Sequence, residues 1–305
     1  DGDPPMSALL IVRQGEVERW TLNDPASRNA LSDAMVAALF EACLRAQADH
    51  SLRAVVLTGA AGAFCAGGSL GGFASAIGQP LAPGENDPLV ALNRGFGDVL
   101  HALSSLPQLL VCAVDGAAMG GGFGLVCCAD HVIATERSVF ATPEVTLGLP
   151  PAQIAPYVWR RLGDRAAREC LLSGRHWRAA DARDIGLVND LVADGALEEA
   201  LRDTLRRYSA AAPEALADTK HLLRRLHAPL PDLRDEAAIA FAAALRGREA
   251  ATGLAAFARR QPAPWVEDEP PRSAAARVAA PQGGGSGLGR PGAGSDGPPR
   301  STAAR

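Results

Sequence analysis

The chain predicts an α/β fold on a largely parallel sheet, and three observations carry that expectation. Short apolar runs alternate with amphipathic helical stretches from residue 9 to about residue 186. Two of the runs, 54–58 and 109–114, are apolar without alternation, as strands covered on both faces are. The connections between runs carry much of the glycine, notably 59–72 and 116–124. With 305 residues, 48% of them hydrophobic, the chain can bury a large core.

In order along the chain, residues 9–12 and 17–22 alternate and flank Gln14-Gly15, a hairpin signal. Asn23-Asp24-Pro25 breaks the chain, and Ser32 is placed to cap a helix over 33–48, where Val36, Leu39, Phe40, Cys43 and Leu44 recur at helical spacing. A buried strand at 54–58 leads into the glycine-rich GAAGAFCAGGSLGG. The Gly/Pro-rich segment 75–87 reads as a loop before a helix over 88–104. Strands follow at 109–114, 131–135 and 139–141, then helices over 153–162, 165–173 and 179–186. From 195 to 260 the pattern is helical, with 220–226 and 235–259 amphipathic, and Trp265 is the last residue expected to pack. The organisation expected is therefore an N-terminal extension at 1–7, a core at 8–200, a helical segment at 201–266 and a Gly/Pro/Arg-rich tail at 267–305.

Composition excludes some functions. The net charge of −4 offers no basic patch for nucleic acid or a membrane surface. No apolar run approaches the roughly 20 residues of a membrane span, and the first residues lack a basic-then-apolar leader pattern, so a cytoplasmic protein is expected. Lys220 is the single lysine among 30 basic residues. The cysteines at 43, 65, 112, 127, 128 and 170 form no C-x-x-C pair and sit in apolar runs, so buried thiols are expected. The six histidines lack ligand spacing, and no metal site is expected.

The central stretch VCAVDGAAMGGGFGLVCCAD (111–130) hands a strand over to a helix through Gly120, Gly121 and Gly122. Bare N–H groups at a helix start attract negative charge, which points to an oxyanion or phosphate site. The other reading is a turn that merely lets the helix pack close to the sheet. Gly67-Gly68-Ser69-Leu70-Gly71 fits G-x-S-x-G, but the preceding strand ends about ten residues early for a nucleophile elbow. A strict G-x-G-x-x-G is missing around 120–124, which argues against dinucleotide binding.

Four stretches in order, PASRNALS (25–32), VVLTGAAGAFCAGGSL (55–70), VDGAAMGGGFGLVCCAD (114–130) and FATPEVTLGLPP (140–151), together with GLAAFARRQPAPW (253–265), resemble the enoyl-CoA hydratase/isomerase (crotonase) family over about 8–266. The resemblance implies a spiral of ββα units followed by a helical segment that builds a homotrimer, often stacked as a hexamer. It implies an acyl-CoA thioester substrate, with coenzyme A as part of that substrate and no separate cofactor. By the same resemblance, the N–H groups of Gly68 and Gly121 form an oxyanion hole for the thioester carbonyl. Such donors are worth about 3–4 kcal/mol each. Arg28, Ala30, Ala66, Ser69 and Leu70 fall where the family holds coenzyme A.

The carboxylates depart from the family pattern. Of the two glutamates of a typical hydratase, the second matches Glu144, whereas Gly124 stands at the place of the first. Hydration needs a base for water and an acid for the α-carbon, and one carboxylate can serve both in a syn addition. GGGFGL, PEVTLGLPPAQIAPYVWRRLG and DPLVALNRGFG (87–97) are further similar to isohexenylglutaconyl-CoA hydratase-like members, which implies a branched, carboxylated acyl chain. Arg94 is then a candidate partner for the second carboxylate. The leading expectation is an enoyl-CoA hydratase. The alternatives are a single-glutamate enoyl-CoA isomerase and a silent acyl-CoA binder.

Overall fold

The computed structural model describes residues 7–69, 76–81, 84–226, 233–263 and 265. The expected N-terminal extension (save residue 7), Leu70 and the tail at 267–305 lie outside the described residues. The strands are β1 (Leu9–Gln14), β2 (Val17–Leu22), β3 (Ala54–Gly59), β4 (Leu109–Val114), β5 (Ala117–Met119), β6 (His131–Thr135), β7 (Val139–Ala141), β8 (Trp177–Arg178) and β9 (Asp190–Val192). The helices are α1 (Asp33–Ala48), α2 (Pro88–Ser104), α3 (Gly121–Cys127), α4 (Ala155–Ser173), α5 (Ala179–Asp184), α6 (Leu197–Ser209), α7 (Pro213–Leu226), α8 (Arg234–Arg246) and α9 (Arg248–Ala258).

The main sheet has the order β1-β2-β3-β4-β6-β9, and a small sheet has the order β5-β7-β8. Only the β1–β2 pair of the main sheet is antiparallel. The rest run parallel, with Val56 opposite Val111 and Val111 opposite His131. The unbroken apolar runs of β3 and β4 follow from cover on both faces. Val55, Leu57, Leu110, Cys112 and Val114 join the large core that includes residues of α1 to α4, while Ala54, Val56, Leu109, Val111 and Ala113 pack toward Leu201 of α6. All six cysteines are buried, and each thiol pKa is pushed up by burial.

Helix α1 begins where the capping signal placed it, with Ser32 Oγ accepting from Met35 N–H at 3.3 Å. Gly163, at φ 73°, kinks α4 and accounts for the two helical stretches expected there. One expectation is corrected: residues 235–259 are not one helix. Gly247 adopts an extended conformation (φ −75°, ψ 163°) that ends α8 and caps α9. This break folds α9 back, so Ala242 and Leu245 of α8 share a cluster with Ala250 and Leu254 of α9, Leu89 of α2 and Leu149. Among the described residues no helix is long and apolar enough to cross a membrane.

Candidate active site

The connections that leave the C-terminal ends of β3, β4 and β6 converge, the position where open α/β sheets place their sites. The first arm is 60–69. Its anchor is Asn29, fully buried at φ 60°, whose Nδ2 donates to Ala60 O (3.0 Å) and Ala63 O (2.8 Å) while Oδ1 accepts from Asp24 N–H. Residues 28–31 then lie alongside 66–69 through Ala66 N–H to Arg28 O, Leu31 N–H to Gly67 O and Ser69 N–H to Leu31 O. Gly67 turns at φ 96°, and Gly68 is exposed with open space where a side chain would stand. Its N–H meets no acceptor among the described residues.

The second arm leaves β4, forms β5 and enters α3. Cys65 joins the arms: its N–H donates to Ala117 O (2.9 Å), and its carbonyl accepts from Met119 N–H (2.9 Å). Gly120 has φ 50° and ψ −115°, a conformation open to glycine, and its N–H donates to Ala141 O of β7. Gly121 starts the helix. A Cβ there would stand 2.5 Å from Leu31 Cδ1 and 3.1 Å from Phe96 Cζ, so a larger residue would have to push the Leu31 side chain aside. The N–H of Gly121, in the unpaired first turn of α3, also has no acceptor among the described residues.

Glu144 stands over the junction of the arms, on a 3₁₀ turn (Pro143–Leu147). Thr142 Oγ donates to Cys170 O (2.6 Å) before the turn, and Gly148, at φ 80°, closes it. Helix α9 backs the turn: a Cβ on Gly148 would lie 2.8 Å from Ala250 N, and one on Gly253 would lie 2.8 Å from Leu147 O. A Cβ on Gly120 would be 3.0 Å from Glu144 Oε1 and 3.8 Å from Gly67 Cα, so the carboxylate lies against Gly120, where the two arms approach each other. Glu144 as a residue is part-buried, yet its Oε2 is sealed from solvent and has no hydrogen-bond partner among the described residues. Burial, partly opposed by a bond from its own backbone, pushes its pKa up to about 7. A carboxylate with a spare buried oxygen and a pKa near neutrality is suited to proton transfer.

One helical turn into α3, the space beside Gly124 is filled. A Cβ on Gly124 would lie 2.4 Å from Ile154 Cγ2 and 3.6 Å from Leu100 Cδ2. Ile154 is held by its neighbour Gln153, whose buried amide donates to Asn93 Oδ1 (2.9 Å) and Arg234 O (3.0 Å).

Of the residues expected at the site, Arg28, Ala30, Ala66, Gly68 and Ser69 lie together on the paired segments 28–31 and 66–69, with Gly121 and Glu144 beside them. Leu70 is outside the described residues. Arg28 is exposed, at φ 55°, with no ion-pair partner among the described residues. The Ser69 hydroxyl has no base hydrogen-bonded to it among the described residues. Arg94 pairs with Asp98 (3.5 Å) and with Asp235 of α8. Sequence reasoning passed over Asn29, Cys65 and Ile154. Asn29 stands in the quoted PASRNALS, but what its amide reaches lies more than 30 residues away.

Comparison with known proteins agrees with this geometry. The profile described as enoyl-CoA hydratase/isomerase matches residues 13–268. The chain is 35% identical to the 2,3-dehydroadipyl-CoA hydratase of Escherichia coli over 72% of this chain and 83% of that one. Among solved structures, Pseudomonas aeruginosa AtuE is 42% identical with a TM-score of 0.68, covering 85% of this chain and all of that one. An enoyl-CoA hydratase/isomerase from Marinobacter aquaeolei is 40% identical with a TM-score of 0.69, covering 85% and 99% of the two chains. With the fold, the paired glycine arms and the carboxylate between them all present, the chain belongs to the enoyl-CoA hydratase/isomerase family.

Proposed function

We propose that the protein hydrates a 2-enoyl-CoA thioester with Glu144 as its sole catalytic carboxylate. The observation that carries this is the buried Glu144 carboxylate beside Gly120, with Oε2 and the N–H groups of Gly68 and Gly121 all without a hydrogen-bond partner among the described residues. The ionised carboxylate takes a proton from water as the water oxygen bonds to C3. The C2–C3 π electrons move toward the thioester carbonyl, whose oxygen becomes an enolate held by Gly68 and Gly121. Collapse of the enolate draws the same proton from Glu144 to C2, which completes a syn addition and restores the carboxylate.

In this reading Arg28, Ala30, Ala66, Ser69 and Leu70 hold the coenzyme A portion, and the acyl chain is branched or carboxylated. The relative named as a 2,3-dehydroadipyl-CoA hydratase supports a carboxylated chain. With Arg94 engaged by Asp98 and Asp235, the partner of that carboxylate is left to other residues. Assembly as a homotrimer or hexamer through the C-terminal helices belongs to the same proposal, and light scattering measures it.

The test is loss of the conjugated-thioester absorbance across straight-chain, branched and carboxylated 2-enoyl-CoAs, for wild type and Glu144→Ala. Turnover by the first and none by the second supports hydration; equal rates in both refute the role of Glu144. A second reading, a 3-enoyl to 2-enoyl isomerase, is favoured by Ile154 in place of the first carboxylate, since isomerisation needs one shuttling base. Appearance of the conjugated absorbance from a 3-enoyl-CoA, with no hydration, identifies it.

A further inference from the structure

We infer that Cys65 is a positioning residue that sets the separation of the two enolate-binding N–H groups. The inference rests on the oxyanion reading above. Cys65 is fully buried, with its thiol pKa pushed up to about 12 by burial, so it stays a neutral thiol. Its side chain touches both arms. Sγ accepts from Gly67 N–H at 3.5 Å, one residue before Gly68. On the other side, a Cβ on Gly122 would lie 2.7 Å from Cys65 Cβ, 2.8 Å from its carbonyl oxygen and 3.1 Å from Sγ, one residue after Gly121. Its backbone meanwhile pairs with β5 on both sides, through Ala117 O and Met119 N–H.

Cys65 therefore acts as a spacer. The thiol fills the gap between an amide of the first arm and the bare helix start of the second, and each contact lies one residue from a donor. Sulfur suits this gap because its long bonds and large radius reach Gly67 N–H at a distance an oxygen acceptor would have to close. Alanine would leave Gly67 N–H unpaired in a buried place and let the arms close in. Valine would set a second γ atom against the surface of Gly122, which has no room for it. Both changes alter the distance between Gly68 and Gly121.

The experiment uses cinnamoyl-CoA, whose conjugated absorbance moves to longer wavelength when its carbonyl is polarised, together with kcat and KM for the best 2-enoyl-CoA. Wild type is expected to show the red shift; its absence overturns the oxyanion reading itself. Given that shift, Cys65→Ala and Cys65→Val are expected to reduce it and to lower kcat by about ten-fold, short of the loss from removing a donor, with KM within about two-fold. An unchanged red shift in Cys65→Ala overturns the proposal, as does a rise in KM that accounts for the whole loss. Cys65→Ser keeps an acceptor and is expected to recover at least half of the shift. If Cys65→Ala does not fold, Cys65→Ser decides against Cys65→Val: equal shifts in those two overturn the spacer role.

Discussion

Ile154 Cγ2 occupies the space a side chain on Gly124 would enter, 2.4 Å from the position of its Cβ. The two residues are a matched pair: the glycine in α3 makes room for the isoleucine, and the isoleucine, 3% exposed, walls off the space beside it. Gly124→Glu is therefore expected not to restore a second acid. It forces a carboxylate against Ile154 and Leu100, and overpacking of this kind costs about 1–3 kcal/mol before the burial of charge is added. Thermal denaturation is expected to show a lowered Tm with no gain in hydration rate. A Gly124→Glu enzyme faster than wild type would show that Ile154 yields and that the wall is no barrier.

The raised pKa of Glu144 gives a pH dependence with a definite sign. Its folded pKa of about 7 exceeds the ordinary 4.5, so the native state holds a proton that the unfolded chain releases in that interval. The contribution to stability is fully present below pH 4.5 and is lost as pH rises through 7. Glu144→Gln removes that loss, so it should stabilise the protein at pH 8, by at most about 3 kcal/mol, and be neutral near pH 4.5. Wild-type kcat/KM should rise along an acid limb centred near pH 7, as the base ionises. A limb near 4.5, or a Glu144→Gln protein no more stable at pH 8 than wild type, would remove the argument from burial.

Much of the fold was legible because period and punctuation agree. Asp33–Ala48, Pro88–Ser104, Leu109–Val114 and His131–Thr135 match their expected bounds, each a long periodic run or an apolar block with a clear cap or break. Strands β5, β8 and β9, at three, two and three residues, are too short to carry a period, and pairing alone defines them. At the site, the bare backbone of Gly120, Gly121 and Gly122 is visible in a string, whereas Gly68 and Glu144 were expected from the family resemblance. Asn29, Cys65 and Ile154 act through partners distant in the chain, which no local pattern records. The pairing of Arg94 with Asp235 was hidden for the same reason, since Asp235 reaches it from α8.

Helix α9 packs through Gly253 against the turn bearing Glu144. A methyl group at Gly253 would meet Leu147 O at 2.8 Å and Trp265 Cη2 at 2.8 Å. The indole can swing aside, but the carbonyl belongs to the backbone of the turn. Gly253→Ala should therefore tilt the turn, at a stability cost of about 1–3 kcal/mol, and lower kcat more than it raises KM. An acid limb moved away from pH 7 would report the changed burial of Glu144. Unaltered kcat with a lowered Tm would confine Gly253 to packing.

Lys220 holds α7 against the sheet, and its burial also shields it chemically. Its Nζ donates to Gln108 O and Asp130 Oδ2, both at 2.5 Å, and Asp130 Oδ2 in turn accepts from Leu110 N–H at the start of β4. Burial lowers its pKa, while Asp130 acts the other way. Lys220→Met keeps the apolar stem but leaves the Gln108 carbonyl unpaired and removes the cation bonded to Asp130. Because Asp130 is 28% exposed, water recovers part of that loss, and the expected cost is about 2–3 kcal/mol, below that of a fully buried pair. Lys220 is also the chain's one side-chain amine, and acyl thioesters react with amines that are free and unprotonated. With the side chain 11% exposed and hydrogen-bonded twice, Lys220 should escape acylation when the native protein is held with excess acyl-CoA at pH 8, and react after denaturation. Peptide mass mapping separates the two. Rapid acylation of Lys220 in the native protein would mean that α7 opens from the sheet far more readily than its buried ion pair predicts.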